Sequence, residues 1–135
     1  MWDNTISYGE MDTEHGALQY SVSRNGVCIT GYRGKDSEVT IPAMIEGCPV
    51  TCLGKKAFLS NKMLKQITLP ATVVRIEDWA FAFCGQLARI LVPYHRIETG
   101  QGIFKDCPAL EQIIDGQEET ADLRKTDVSY LLAAV

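Results

Sequence analysis

The chain has 135 residues, 46% of them hydrophobic and 22% charged, which fits one globular domain and excludes wholesale disorder. Thirteen Lys+Arg against seventeen Asp+Glu give a net charge of −4. The basic residues are scattered, so nothing tracks a phosphate backbone and no nucleic-acid partner is expected. No apolar run reaches the ~18 residues a membrane-spanning helix needs, so no membrane insertion is expected either.

Residues 1–16 read as an N-terminal extension. Its opening, Met-Trp-Asp-Asn-Thr-Ile-Ser-Tyr, carries neither the basic segment nor the apolar stretch of a secretory signal. A cytoplasmic location is the expectation, with a secreted or cell-surface location the alternative if an export signal has been removed. Residues 17–38 read as a β-hairpin: Asn25-Gly26, the strongest short hairpin signal, lies between Leu18-Tyr20-Val22 and Val27-Ile29. With those two residues as the turn, Val22 falls opposite Ile29 and Arg24 opposite Val27, and the apolar set stays on one face. Such a hairpin closes one edge of the segment C-terminal to it.

Residues 39–115 form a repeat. Phe58, Phe81 and Phe104 are 23 residues apart, as are Leu64, Leu87 and Leu110, and Ile67, Ile90 and Ile113. Pro70 and Pro93 share the interval, and so do Cys84 and Cys107. A fixed period of this length marks a solenoid or array. Within one unit, Ile67 and Leu69 alternate with Thr68 as in a short strand, which Pro70 ends by removing a donor. Val73 and Ile76 make a second inward pair. Ala80, Phe81, Cys84 and Leu87 follow the three-to-four spacing of one or two helical turns. Pro42 and Pro70 are 28 apart, so about five residues around Glu46–Val50 read as a loop insertion.

Residues 116–135 read as an acidic linker and a C-terminal capping helix. Val128, Leu131, Leu132 and Val135 fall at i, i+3, i+4 and i+7, with Thr126 or Asp127 as the cap. A helix pairing with a second copy of the chain is the competing reading, since uncovered solenoid ends invite association.

The pattern Leu64-x-x-Ile67-x-Leu69-Pro70-x-x-Val73-x-x-Ile76-x-x-x-Ala80-Phe81-x-x-Cys84 resembles the BspA-type, or Treponema pallidum type, leucine-rich repeats from about Val39 to Ile113. The fold class expected is mostly β with short helical turns. It is a short right-handed leucine-rich-repeat solenoid of about three units, with an N-terminal β-hairpin cap and a C-terminal helix cap. The resemblance implies a binding role, often at bacterial or protozoan surfaces, and supplies no catalytic residue.

The residues themselves offer little chemistry. His15 and His95 are the only histidines, too few for acid–base work beside an oriented nucleophile. Gly100-Gln-Gly102 lacks the third glycine of a dinucleotide fingerprint. The five cysteines are Cys28, Cys48, Cys52, Cys84 and Cys107, an odd number that does not suggest a disulfide scaffold. Buried thiols are the main reading, and a small thiol or metal protein using Cys48 and Cys52 is a distant rival. No catalytic residue, metal ligand or cofactor is assigned.

Function then falls to the surface. In leucine-rich repeats the residues between inward positions project from the concave sheet, here Gln66, Arg89 and Gln112 in one column and Thr68, Leu91 and Ile114 in the next. Leu91 and Ile114 are expected to face outward side by side as an apolar pair. Trp79, at the variable position shared with Lys56 and Gly102, is a further candidate, weighed against a ring lying across the adjacent unit. The expected function is non-catalytic protein binding or scaffolding. The alternative is cell-surface adhesion to a host protein or glycan, with Trp79 and Tyr94 as stacking residues. A homodimer through the C-terminal helix or a solenoid end stays open.

Overall fold

The computed structural model describes residues 6–93 and 97–115. Among these there are eleven strands: β1 (Ser7–Asp12), β2 (Gly16–Ser23), β3 (Gly26–Gly34), β4 (Glu38–Thr40), β5 (Met44–Ile45), β6 (Cys48–Leu53), β7 (Gln66–Thr68), β8 (Arg75–Ile76), β9 (Arg89–Val92), β10 (Glu98–Thr99) and β11 (Gln112–Asp115). They form two sheets. One runs β1-β2-β3-β6-β8-β10, with the short β5 added to β6, and the other runs β4-β7-β9-β11.

The repeat produces the second sheet directly. Its strands are parallel, and Val39, Ile67, Ile90 and Ile113 sit at one register position. All four are buried, because strand alternation turns them to the same face. Among the described residues the stack therefore has four rungs rather than about three. The first is harder to see in the sequence because it carries the insertion, which forms a two-strand excursion, β5 against β6. Glu46 and Gly47 make its turn at φ 53° and 76°, the paired positive angles of a tight hairpin. The Tyr20 hydroxyl donates to the Glu46 carboxylate at 2.7 Å and pins it.

The segment with three-to-four spacing is not helical. Lys56, Trp79 and Gly102 occupy one 23-residue column at φ 60°, 61° and 59°, and Ser60, Phe83 and Asp106 occupy another at 59°, 60° and 54°. Left-handed residues at these intervals stop a helix from propagating. The amide groups instead reach the next rung: Phe58 N–H donates to Ala80 O at 2.7 Å, and Phe81 N–H to Ile103 O at 2.9 Å. This is a third line of inter-rung hydrogen bonds beside the two sheets.

Inside, Phe58, Phe81 and Phe104 stack with centroids 5.4 and 5.7 Å apart, and Tyr32 extends the stack from Phe58 at 5.7 Å. Leu64 and Leu87 fill a second fully buried column. On the third unit, where the sequence has Arg96 and Thr99 in place of Val73 and Ile76, Ile97 supplies the buried side chain.

At the N-terminal end β2 and β3 do form a hairpin, but its turn is Arg24-Asn25. Ser23 pairs with Gly26, Val22 with Val27 and Tyr20 with Ile29. The register differs from the expected one because Gly26 packs against the following rung: a Cβ there would lie 2.8 Å from Pro49 O. The Ser23 hydroxyl accepts from Asn25 N–H at 3.2 Å and holds the turn. Residues 7–12, assigned to the extension, are a strand paired with β2 along its length. The expected C-terminal helix lies outside the described residues.

Asp36 ties this end together. It is 4% exposed, and its carboxylate accepts from the Thr13 hydroxyl, the Tyr32 hydroxyl at 2.7 Å and the His15 N–H at 2.9 Å. Burial pushes the carboxyl up, but these three hydrogen bonds outweigh it and hold the group below its ordinary 3.8.

Three outcomes are expected. Phe81→Ala, at the middle of the aromatic stack, should lower stability by ~3–5 kcal/mol in urea unfolding; a loss under ~1 kcal/mol would mean the stack does not carry the core. Lys56→Gly should raise it by ~0.5–1 kcal/mol, the ~1–2 of left-handed strain less the chain entropy of glycine; a decrease would refute strain at this exposed position. For Asp36, a depressed folded value means stability fully present above the unfolded value of about pH 4 and lost as pH falls through the lower folded one. The Tm gap between wild type and Asp36→Asn should therefore narrow below about pH 4, and a pH-independent gap would count against the buried carboxylate.

Candidate binding face

The two sheets and the turn line give the solenoid three sides, and the candidate residues fall on two of them. β7, β9 and β11 carry Gln66, Arg89 and Gln112 at one register position and Thr68, Leu91 and Ile114 at another. β4 extends both columns, placing Glu38 beside Gln66 and Thr40 beside Thr68. The sequence conceals these two residues because the insertion sets them 28 residues, not 23, from their partners; the Pro42–Pro70 interval is the signal that finds them.

Glu38, Arg89, Gln112 and Thr40 are exposed, and Gln66, Thr68 and Leu91 are half-buried. Arg89 donates to Gln66 Oε1 at 3.1 Å, which directs the exposed guanidinium along the column. Ile114 departs from its expected exposure: it is 7% exposed. Its register partner is Leu91.

Trp79 is on the turn side, not on this sheet. Its ring is half-buried: it lies near Gly102 of the next rung, 5.9 Å from Lys105 Nζ and 6.1 Å from the Phe83 ring. The ring thus lies across the adjacent unit. Tyr94 and His95 lie outside the described residues.

Two thiol pairs are also brought together, neither of them Cys48 with Cys52. Four residues along an extended strand span ~13 Å, whereas neighbouring strands are ~4.8 Å apart. Cys52 accordingly meets Cys28 across β3 and β6. The hydrogen bond between them pushes Cys28 up and Cys52 down, and Arg75 donates to Cys52 Sγ at 3.6 Å. Cys84 and Cys107 stack on adjacent rungs, donating to Phe58 O and Phe81 O at 3.0 Å each. Hydrogen bonding with Cys84, side chain and backbone, lowers Cys107 to about 7.

A shallow groove of about 370 Å³ is lined by Lys55, Arg75, Glu77, Asp78, Glu98 and Thr99. Arg75 and Glu77, two residues apart on its wall, pair at 3.3 Å.

Comparison with known proteins agrees with this architecture. A family model described as the BspA type leucine rich repeat region (6 copies) matches residues 37–121. No curated protein matches the chain. Among solved structures, the T. pallidum leucine rich repeat protein is 33% identical, with a TM-score of 0.70 over 78% of this chain and 50% of that one. A leucine rich cell surface protein from Faecalibacterium prausnitzii is 24% identical, with a TM-score of 0.62 over 78% of this chain and 30% of that one. A leucine-rich repeat protein from Bacteroides capillosus is 20% identical, at a TM-score of 0.54 over 78% and 96%. The chain thus spans half or less of the first two. With the family model matching most of the chain and the repeat visible rung by rung, the chain belongs to the BspA-type leucine-rich repeat family.

Proposed function

We propose that the chain is a non-catalytic protein-binding module whose partner rests on the outer face of the four-stranded parallel sheet. The observation that carries this is the alignment of Glu38, Gln66, Arg89 and Gln112 beside Thr40, Thr68 and Leu91, with the buried Ile114 ending the second column. Strand spacing sets these groups ~4.8 Å apart, a ladder of donors and acceptors with a small apolar centre at Leu91. Arg89 is already held by Gln66, so less side-chain freedom is lost when a partner arrives.

Adhesion to a host protein or carbohydrate is the competing reading. It relies on Trp79 and Tyr94, and Trp79 is occupied by Phe83 of its own unit and by Gly102 and Lys105 of the next rung, which favours the sheet face. Protease treatment of intact cells separates a surface location from an internal one.

The face is tested by comparing proteins retained from host extract by the immobilised chain and by the double variant Arg89→Glu, Leu91→Ser. Both should melt within a few degrees of each other. The variant should lose a specific protein at least tenfold, and equal retention by both would exclude this face. Trp79→Ala, on another side, should leave retention unchanged.

A further inference from the structure

The seven-stranded sheet holds a group of side chains that partner binding leaves unused. Cys28 on β3 and Cys52 on β6 occupy one register position, and Glu77 follows the end of β8. Cys28 Sγ, Cys52 Sγ and a Glu77 carboxylate oxygen all lie within 4.8 Å of one another. Cys52 is buried, while Cys28 and Glu77 are half-buried, so the three combine a shielded interior side with a route to solvent. Glu77 also lines the shallow groove with Arg75, which opens its carboxylate side to solvent.

We infer that Cys28, Cys52 and Glu77 form a binding site for one thiophilic divalent cation of the zinc class, with a fourth position left for water. The donor set suits such an ion: two thiolates and one carboxylate match its borderline-soft preference, and three protein ligands plus water complete a tetrahedron. Tetrahedral zinc with bonds of about 2.3 Å to sulfur places two sulfurs about 3.8 Å apart, so the sulfurs, which lie within 4.8 Å, need to close by at most ~1 Å. Charge agrees as well. Two thiolates and a carboxylate around a dication leave one net negative charge, and the Arg75 guanidinium, 3.6 Å from Cys52 Sγ and 3.3 Å from the Glu77 carboxylate, faces it. Such outer donors orient metal ligands and fix their charge. Cation binding expels the protons that the two thiols carry, so it strengthens as pH rises. A disulfide between Cys28 and Cys52 explains the thiol pairing but gives Glu77 no part.

The test is titration of the reduced full-length chain with Co²⁺, followed by displacement with Zn²⁺. One equivalent should give a thiolate-to-cobalt charge-transfer band with the strong visible absorption of a tetrahedral site. Cys28→Ser should abolish the band and Glu77→Gln should weaken binding at least tenfold, whereas Cys107→Ser, in the other thiol pair, should leave both unchanged. Circular dichroism establishes that each variant is folded. Should Cys28→Ser fail to fold, Glu77→Gln decides, because that side chain is 40% exposed. The inference is overturned if wild type shows no thiolate band, if Cys107→Ser removes it, or if Glu77→Gln binds Co²⁺ as tightly as wild type.

Discussion

Everything in this molecule depends on successive rungs exchanging backbone hydrogen bonds along three lines at once. The parallel sheet, the seven-stranded sheet and the turn line each hand N–H groups from one rung to carbonyls of the next. All three lines meet only if every rung travels the same path, and that is what fixes the 23-residue interval. A single such bond contributes on the order of 1 kcal/mol net, but leaving one broken inside costs more. Extra residues are therefore admitted only where they leave and return through their own hydrogen bonds, as β5 and β6 do around Glu46-Gly47.

The same demand explains the backbone of the turn side. A helix satisfies its amides internally and has none left to offer a neighbour. By placing left-handed residues at Lys56 and Ser60, Trp79 and Phe83, the chain frees Phe58 and Phe81 N–H to point along the stack. Strain at non-glycine residues is set against bonds that join rungs, and the phenylalanine stack beneath adds apolar burial to the same direction.

This dependence also decides which parts are legible in the sequence. Columns of Phe, Leu and Ile announce themselves because burial tolerates few residue types, so the repeat, the inward faces and the outward positions Gln66 and Arg89 can be read. Left-handed positions cannot, since Lys, Trp and Gly share one column with nothing chemical in common. The three-to-four spacing of Ala80, Phe81, Cys84 and Leu87 imitates a helix because turns that alternate handedness return to the core at similar intervals. Glu38 and Thr40 are hidden by the insertion, and the hairpin register by the close approach of Gly26 to Pro49. The meeting of Cys28, Cys52 and Glu77 leaves no periodic trace: Cys28 and Cys52 pair across a register shift in β3, one residue off the repeat interval.

The antiparallel β1 and β2 bear on how the chain acquires its structure. Each contact between repeats joins residues about one rung apart, so adding rungs lengthens the chain without raising the separation of its contacting pairs. Folding speed in such an array is set by closing one loop of roughly two dozen residues, and not by total length. The hairpin arm, whose strands are close neighbours in the chain, is the segment that forms with least loop closure. It carries Tyr32, the first ring of the aromatic stack, and so offers a ready template on which the first rung condenses. Growth of the rungs from that template runs toward the carboxyl terminus, the order in which a ribosome releases the chain.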